Sequence, residues 1–579
     1  MKYERRCIRR HTVCVVKKRG SKFTKFKMSS KNRKEKPKMK PIIQVVNLFH
    51  RVVELIASGV FSLIAYFCHP KECQPPIKNR ILLYSASTLA AQIRQQEITS
   101  EEVVQAYIDR INEIQPILNC VVEGRFEEAL EEARKCDKML RSSNAPSIKV
   151  LTMEKPFLGV PFTTKDCIAI AGMKQTAGLV VRKNTVSDRD AETVKLMRAA
   201  GAIPIAKTNV SELAMWWESS NCIYGTSRNP YNTRHIVGGS SGGEGALIAA
   251  AGSPFGIGSD IGGSIRMPCF FNGIFGHKTT RGVVSNEGQY PSPHHEEQDV
   301  LLSLGPMCRN PFDLIPMLRV LAGKNASMLN LDSKVDLSKL KIYYMEDDGG
   351  QLLVSPVEPE IKEAMYRVID YFARVHKVKA KKVDLKKMKK STDLWLANMS
   401  TKDARGFAYE LSNRTGVLNI WWKLAQWFTF MGPHTLIALI TVLVESFGIK
   451  FGSEKHTKLI QQSRDLYLEF KDMLDDGGIF LYPTHPTAAP MHHEPLIKPF
   501  NFSYTAIINV LGVPSTACPL GLNQNGLPIG IQVIGGMYQD HLTLAVAEEI
   551  GRAFGGWVPP PLIENGATIE VPTDIALYT

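Results

Sequence analysis

The stretch GGSSGGEGALIAAAGSPFGIGSDIGGSIRMPCFFNGIFGHKTTRG, residues 238–282, decides how the rest of the chain is read. It holds 13 glycines in 45 positions, where average usage of about 7% gives roughly three. Glycine at this density supplies positive φ angles and close backbone approach, at an entropic cost that a plain turn region has little reason to bear. Against a phosphate cradle, no Gly-x-x-x-x-Gly-Lys-Ser/Thr is present. What stands there is two serine sites 24 residues apart, Ser240 and Ser264, each preceded by a glycine pair.

Around this block, short β-rich runs alternate with helical ones. FLGVPFTTKD (157–166), AIPIAKTN (202–209), PFGIGSD (254–260), KLKIYYM (339–345), IFLYPT (479–484) and LPIGIQVIG (527–535) read as strands. TSEEVVQAYIDRI (99–111) reads as a helix, with Thr99 and Glu102 as a capping box and Val103, Val104, Tyr107, Ile108 and Ile111 at helical spacing. FEEALEEARKCDKML (126–140) and HLTLAVAEEIGRAFG (541–555) are further helices. The alternation predicts an α/β fold with a large mixed β-sheet core covered by helices. No internal repeat is present.

Length and composition agree. The 579 residues are 44% hydrophobic and 22% charged, which excludes a disulfide-stapled module, a fibrous repeat or a wholly disordered chain. The net charge of +15 is local: residues 1–40 hold 17 of the 71 Lys and Arg but only Glu4 and Glu35 among the 56 acids. That arm reads as solvated and disordered, and the remainder is neutral, with no basic stripe for nucleic acid. The 11 cysteines form no Cys-x-x-Cys pair and no zinc spacing. No metal and no organic cofactor are expected.

Next comes PIIQVVNLFHRVVELIASGVFSLIAYFC, residues 41–68, part of a hydrophobic segment assigned to 41–70. Its uncharged part, Leu55–Cys68, is 14 residues long, short of the roughly 20 a bilayer needs. Snorkelling end groups still permit a tilted membrane-associated helix. If it spans once, the basic arm puts the N-terminus in the cytosol. Asn325, Asn398, Asn413 and Asn501 are then glycosylation candidates, whereas Asn209 falls in a stretch expected to be buried.

The motifs together resemble the amidase signature family. GGSSGG (238–243), GIGSDIGGSIR (256–266), FGHKTT (275–280), PFTTKD (161–166), AIPIAKTNVSE (202–212) and PLGLNQNGLPIGIQVIG (519–535) occur in the family's order. The resemblance places a catalytic domain over 80–575 and implies a Ser–Ser–Lys triad. In it Ser264 is the nucleophile, Ser240 the bridging serine in a cis peptide and Lys165 the base. A serine hydroxyl needs a neighbouring base, and lysine serves only if burial keeps it neutral. The backbone N–H groups of Ile261, Gly262, Gly263 and Ser264 are expected to form the oxyanion hole. Ser241 and Thr163 are expected to support the triad, with Asp260 and Arg266 as structural anchors. His235, His277 and Cys269 are read as structural.

Substrate choice must come from elsewhere. Residues 416–447, GVLNIWWKLAQWFTFMGPHTLIALITVLVESF, concentrate Trp421, Trp422, Trp427, Phe428 and Phe430 before a Gly-Pro turn, then Leu436, Ile437, Leu439, Ile440 and Leu443. Aromatic clusters of this kind suit membrane interfaces. The position resembles the membrane cap of the fatty-acid amide hydrolase branch, in its second type. That implies a lipid amide substrate, a membrane as partner, an intracellular membrane or lipid surface as location, and a homodimer through paired caps. The basic arm is not expected of that branch. Two other readings stay open: a family amidase acting on small amides or glutamine, and a catalytically idle lipid-binding protein.

Overall fold

The computed structural model describes residues 41–68, 72, 74–292, 296–402, 405–416 and 418–560; the basic arm expected over 1–40 lies outside them. Contacts divide the chain into Met1–Val46, of which only the start of a helix is described, and Asn47–Thr579.

Strands β1 (Val121–Gly124), β2 (Pro161–Lys165) and β3 (Ile203–Thr208) come first, and β4 (Ser220–Asn221) with β5 (Gly225–Thr226) forms a separate ribbon. Then come β6 (Phe255–Asp260), β7 (Phe275–Lys278), β8 (Ser303–Cys308), β9 (Lys341–Tyr344) and β10 (Lys381–Lys382). The last are β11 (Gly478–Tyr482), β12 (Ser515–Leu522) and β13 (Pro528–Gly535). Apart from the ribbon they build one 11-stranded sheet in the order β1-β3-β2-β6-β8-β7-β12-β13-β11-β9-β10. It is mixed: β2 runs parallel to β3 and β6, whereas β6, β8, β7, β12, β13 and β11 pair antiparallel in turn. Every residue of β2, β3, β6, β8, β11 and β13 is buried. These strands are covered on both faces, which is why they read as apolar runs rather than alternating ones.

The parallel trio sets up the site. Because β2, β3 and β6 point the same way, their last residues, Lys165, Thr208 and Asp260, emerge at one edge of the sheet. Crevices at the carboxyl ends of parallel strands are where α/β folds place ligands.

Helix Ser100–Leu118 begins with the expected capping box, Glu102 N donating to Thr99 Oγ1 at 3.1 Å and Thr99 N to Glu102 Oε2 at 2.8 Å. Asn209 and Asn501 are both buried, and Asn501 is locked between the Ser355 amide and hydroxyl at 2.9 and 3.1 Å. A glycan on Asn501 has no room.

The segment 41–68 forms one helix, Pro41–Cys68. Among the described residues no helix is long and apolar enough to cross a membrane, so the single-pass reading is corrected. The physical reason is Arg51 and Glu54, which leave only a 14-residue uncharged run, about 21 Å of helix against a core of about 30 Å. Two of its polar side chains bond the protein. Glu54, 8% exposed, accepts from Ser355 Oγ at 2.7 Å, and Ser58 Oγ donates to Glu494 Oε1. Phe49, Val52, Leu55, Ile56, Val60, Leu63 and Phe67 are exposed. The apolar face points away from the body.

The aromatic segment forms two helices, Ile420–Phe428 and Leu436–Ser446. No residue of the first is buried; Trp421, Trp422 and Phe428 are exposed, as is Phe430 after it, while Trp427 is half-buried. The second buries Ala438, Leu439 and Val442 in a small satellite core with Leu179, Leu213, Phe407 and Leu411. Leu436, Ile437, Ile440 and Leu443 remain half-buried.

Candidate active site

Lys165 closes β2 with no exposed surface. Its Nζ lies 2.8 Å from Ser240 Oγ and 2.9 Å from Ser259 Oγ. Burial lowers its pKa below the usual lysine range, although Cys167, Asp260 and Glu244 pull it back up. A lysine held by two hydroxyls and by no carboxylate hydrogen bond is a lysine that can be neutral.

Ser240 follows a cis Gly239–Ser240 peptide and sits just before the buried helix Gly242–Ala249. Ser241 N donates to Ser264 O at 3.2 Å, while Ser241 Oγ meets the Ser259 backbone at 3.4 Å on both its N and O. Ser241 therefore fastens the first serine loop to the second. Ser264 is 8% exposed, and among the described residues no side chain hydrogen-bonds its hydroxyl. The structure brings Lys165 and Ser240 together and sets Ser264 beside them through Ser241. Among the described residues no hydrogen bond joins the Ser264 and Ser240 hydroxyls.

The loop after β6 differs from expectation at one position. Gly263 N donates to Asp260 Oδ1 at 2.7 Å, so that N–H is taken. The N–H groups of Ile261, Gly262 and Ser264 have no acceptor among the described residues. Gly262 and Ser264 are buried residues and Ile261 is half-buried, and backbone donors left without partners in such a place suit an incoming acceptor. Gly263 is shaped for the loop rather than for the anion: its φ is +122°, and a Cβ there would stand 2.0 Å from Thr505 Oγ1. Gly263→Ala is expected to cost roughly 1–3 kcal/mol of stability and to lower kcat at least about 10-fold. A thermal melt and a rate measurement check this; wild-type values in both mean the loop relaxes freely.

Asp260 and Arg266 form the expected buried pair, Nη2–Oδ1 at 2.9 Å and Nε–Oδ2 at 3.0 Å, neither exposed. Burial pushes the Asp260 carboxyl up, but Arg266 and Asn509 outweigh it and hold it at about 2. Asp260 also accepts from Ile265 N at 3.1 Å, while Arg266 reaches Asn509 Oδ1 at 2.7 Å and Gln532 Oε1 at 2.9 Å. From outside, Trp395 Nε1 donates to Ile261 O at 2.8 Å and Thr505 Oγ1 to Gly262 O at 2.7 Å.

The remaining candidates fall elsewhere. Thr163 Oγ1 donates to Glu244 rather than to Lys165, Ser240 or Ser264. His235 Nδ1 bonds Ala489 O at 2.6 Å; His277 lies between Thr516 Oγ1 at 2.8 Å and Asp540 Oδ1 at 3.0 Å. Cys269 is fully buried, its thiol pushed well above the usual range by desolvation. Sequence reasoning missed Ser259, although it stands inside the GIGSDIGGSIR motif, and it missed Trp395, Thr505, Asn509 and Gln532, which lie more than 100 residues from that loop and carry no local signal. Glu244 did carry one: it is the only charged residue between Gly238 and Gly252.

Residues 102–544 match the family model described as Amidase. Fatty-acid amide hydrolase 2 of Homo sapiens is 47% identical over 490 residues, 84% of this chain and 92% of its own length. Fatty-acid amide hydrolase 2-A of Danio rerio is 47% identical over 518 residues, 88% and 96% of the two chains. A solved fatty acid amide hydrolase superposes with a TM-score of 0.67 at 22% identity, covering 83% of this chain and 86% of its own, and so attests the fold. The match spans the whole sheet edge that gathers Lys165, Ser240 and the loop after β6, and on it this protein belongs to the amidase family and is an amide hydrolase.

Proposed function

We propose that the protein is a serine amidase that hydrolyses fatty-acid amides to free acid and amine at a membrane surface. The observation that carries the chemistry is the buried Lys165 Nζ at 2.8 Å from Ser240 Oγ, together with the N–H groups of Ile261, Gly262 and Ser264, which have no acceptor among the described residues. Ser264 Oγ attacks the amide carbonyl as its proton passes to Ser240, whose own proton passes to neutral Lys165. The tetrahedral oxyanion is held by the N–H groups of Ile261, Gly262 and Ser264. The proton returns along the same path to the leaving nitrogen, the C–N bond breaks, and water then hydrolyses the Ser264 acyl ester.

Two surfaces support a lipid substrate. The helix Ile420–Phe428 buries none of its residues, and on the helix Pro41–Cys68 Glu54 and Ser58 bond the protein while Phe49, Leu55, Ile56, Val60, Leu63 and Phe67 are exposed. Water-exposed faces of this kind are costly unless lipid covers them. The relatives at 47% identity carry the name fatty-acid amide hydrolase 2. Attachment by in-plane helices replaces the single crossing, and it brings the enzyme to substrate already dissolved in the bilayer.

The test is hydrolysis of a long-chain acyl amide, a short-chain amide and glutamine by detergent-extracted enzyme. Preference for the long chain is expected; turnover of glutamine or short amides alone moves the assignment to a small-amide enzyme. No turnover at all favours an idle lipid binder. In parallel, Trp421→Ser/Trp422→Ser/Phe428→Ser is expected to raise KM for vesicle-borne amide about 10-fold or more, leaving kcat/KM for a soluble short amide within about 2-fold. Equal loss on both substrates sinks the membrane role of that face.

A further inference from the structure

Glu244 is fully buried, and no step of the hydrolysis uses it. Its carboxyl is nevertheless closely fitted. Thr163 Oγ1 bonds Oε1, and Thr208 Oγ1 lies 2.6 Å from Oε2. Thr163 stands two residues before Lys165 on β2, and Thr208 is the register partner of Lys165 on β3. Glu244 itself occupies the first turn of the helix that follows Ser240. One carboxyl thus ties the strand bearing the lysine, and the strand beside it, to the helix whose start carries the serine. The opposite wall is kept clear by Gly256 on β6, where a Cβ would stand 1.6 Å from Oε1.

We propose that Glu244 is a positioning residue that holds Lys165 against Ser240, and that it does so as the neutral acid. The proposal rests on the reading of Lys165 as the base. A carboxylate at this point favours the lysine ammonium, which cannot take a proton from Ser240. The other charges on the elements packed around the helix have partners of their own: Lys207 faces Asp166 at 3.7 Å, Asp260 and Arg266 face each other at 2.9 Å, Arg110 pairs with Glu113 at 3.0 Å, and Arg309 bonds the Ile248 and Ser253 carbonyls at 2.8 and 2.6 Å. The thiols of Cys120, Cys269 and Cys308 are pushed up by burial and stay protonated. Lys165 is the cation that acts on Glu244, and burial opposes charge on both. It lowers Lys165 and lifts Glu244 to about 7, against the Thr163 and Thr208 bonds and Lys165 itself. The hydrogen-bond pattern accommodates the acid: its proton can go to Thr208 Oγ1, whose own hydrogen has a second acceptor in Thr164 O at 3.4 Å. A neutral pair leaves no isolated charge in the core, which is the cheaper state there.

The experiment compares Glu244→Gln, Glu244→Asp and Glu244→Leu in the full chain, as kcat and KM and as the pH profile of kcat/KM. The glutamine variant copies the neutral acid in shape, and its kcat is expected within about 3-fold of wild type, with the acidic limb of the profile unmoved. The shorter aspartate and the leucine are expected to lose about 100-fold or more in kcat at little-changed KM, the usual effect of misplacing a reacting group. Below neutral pH, the infrared C=O stretch of a buried protonated carboxyl is expected in wild type and absent from Glu244→Gln. Three outcomes overturn the proposal: a 100-fold loss in the glutamine variant, a fall of its acidic limb by a unit or more, or full activity with leucine. Should leucine prevent folding, Thr208→Val removes one anchor alone, and kcat about 10-fold lower at constant KM is the expected result. Full activity of Lys165→Met would instead sink the base assignment, whatever the Glu244 variants do.

Discussion

Ser264→Ala is expected to lower kcat for amide hydrolysis by roughly 10⁶-fold while the protein stays folded, as loss of a serine nucleophile does elsewhere. Folding should survive because Ser264 holds its neighbours through its carbonyl, which accepts from Ser241 N at 3.2 Å, and not through its hydroxyl. Lys165→Met and Ser240→Ala are expected to cost nearly as much, and the three losses should not add. Once the proton path is cut at any point, what remains is the catalysis supplied by the loop N–H groups and by substrate binding, of the order of 10³–10⁴ over water. Single and triple variants assayed together, with substrate binding followed independently, check this. A triple variant far slower than any single one means that the groups act separately, and the relay is then wrong. Ser240→Ala is the most informative single change, since Lys165 Nζ retains Ser259 Oγ at 2.9 Å and so keeps its place without its relay partner.

How much of this was readable from the chain alone depends on the distance over which each feature is encoded. β2, β3, β6, β11 and β13 are legible because strands covered on both faces are short apolar runs between turn residues. β8 and β12 were not placed: SLGPMC and STACPLGL hold one β-branched residue between them, Thr516, whereas PIGIQVIG reads as a strand despite its own proline and glycines because it carries Ile529, Ile531, Val533 and Ile534. The two serine loops announce themselves by glycine density, which reflects backbone crowding within one segment. Their outer supports do not. Trp395, Thr505, Asn509 and Gln532 reach the loop over 100 residues or more of chain, and nothing in their own neighbourhoods marks them. Gly263 was assigned to the anion by the family resemblance; the structure shows Asp260 claiming its N–H. The charges of the N-terminal helix were legible as a limit on its apolar run, whereas the partner of Glu54, the Ser355 hydroxyl 301 residues away, was not.

Arg266→Met is expected to be the most destabilising point change in the site, at about 3–5 kcal/mol, because it leaves Asp260 as an uncompensated buried charge. The pair is enclosed, with neither side chain exposed, and no water reaches the carboxylate to replace the guanidinium. Asp260 does more than balance charge: its two oxygens accept from Gly263 N at 2.7 Å and Ile265 N at 3.1 Å, which fixes the turn that presents the free N–H groups. The variant should therefore lose about 100-fold or more in kcat at temperatures where it is still folded. Asp260→Asn combined with Arg266→Met is expected to recover a good part of the stability and little of the rate, since the charge problem is removed but the turn is not restored. Recovery of both would mean that the pair serves stability alone. Acid reports on the same carboxylate. Its folded pKa of about 2 lies below the ordinary 3.8, so the stability it contributes is fully present above about pH 4 and is lost as the pH falls through 2. Thermal melts across that window should show a steeper acid loss in wild type than in the double variant, whose residue 260 no longer titrates. Parallel curves for the two would place the acid-sensitive group elsewhere in the core.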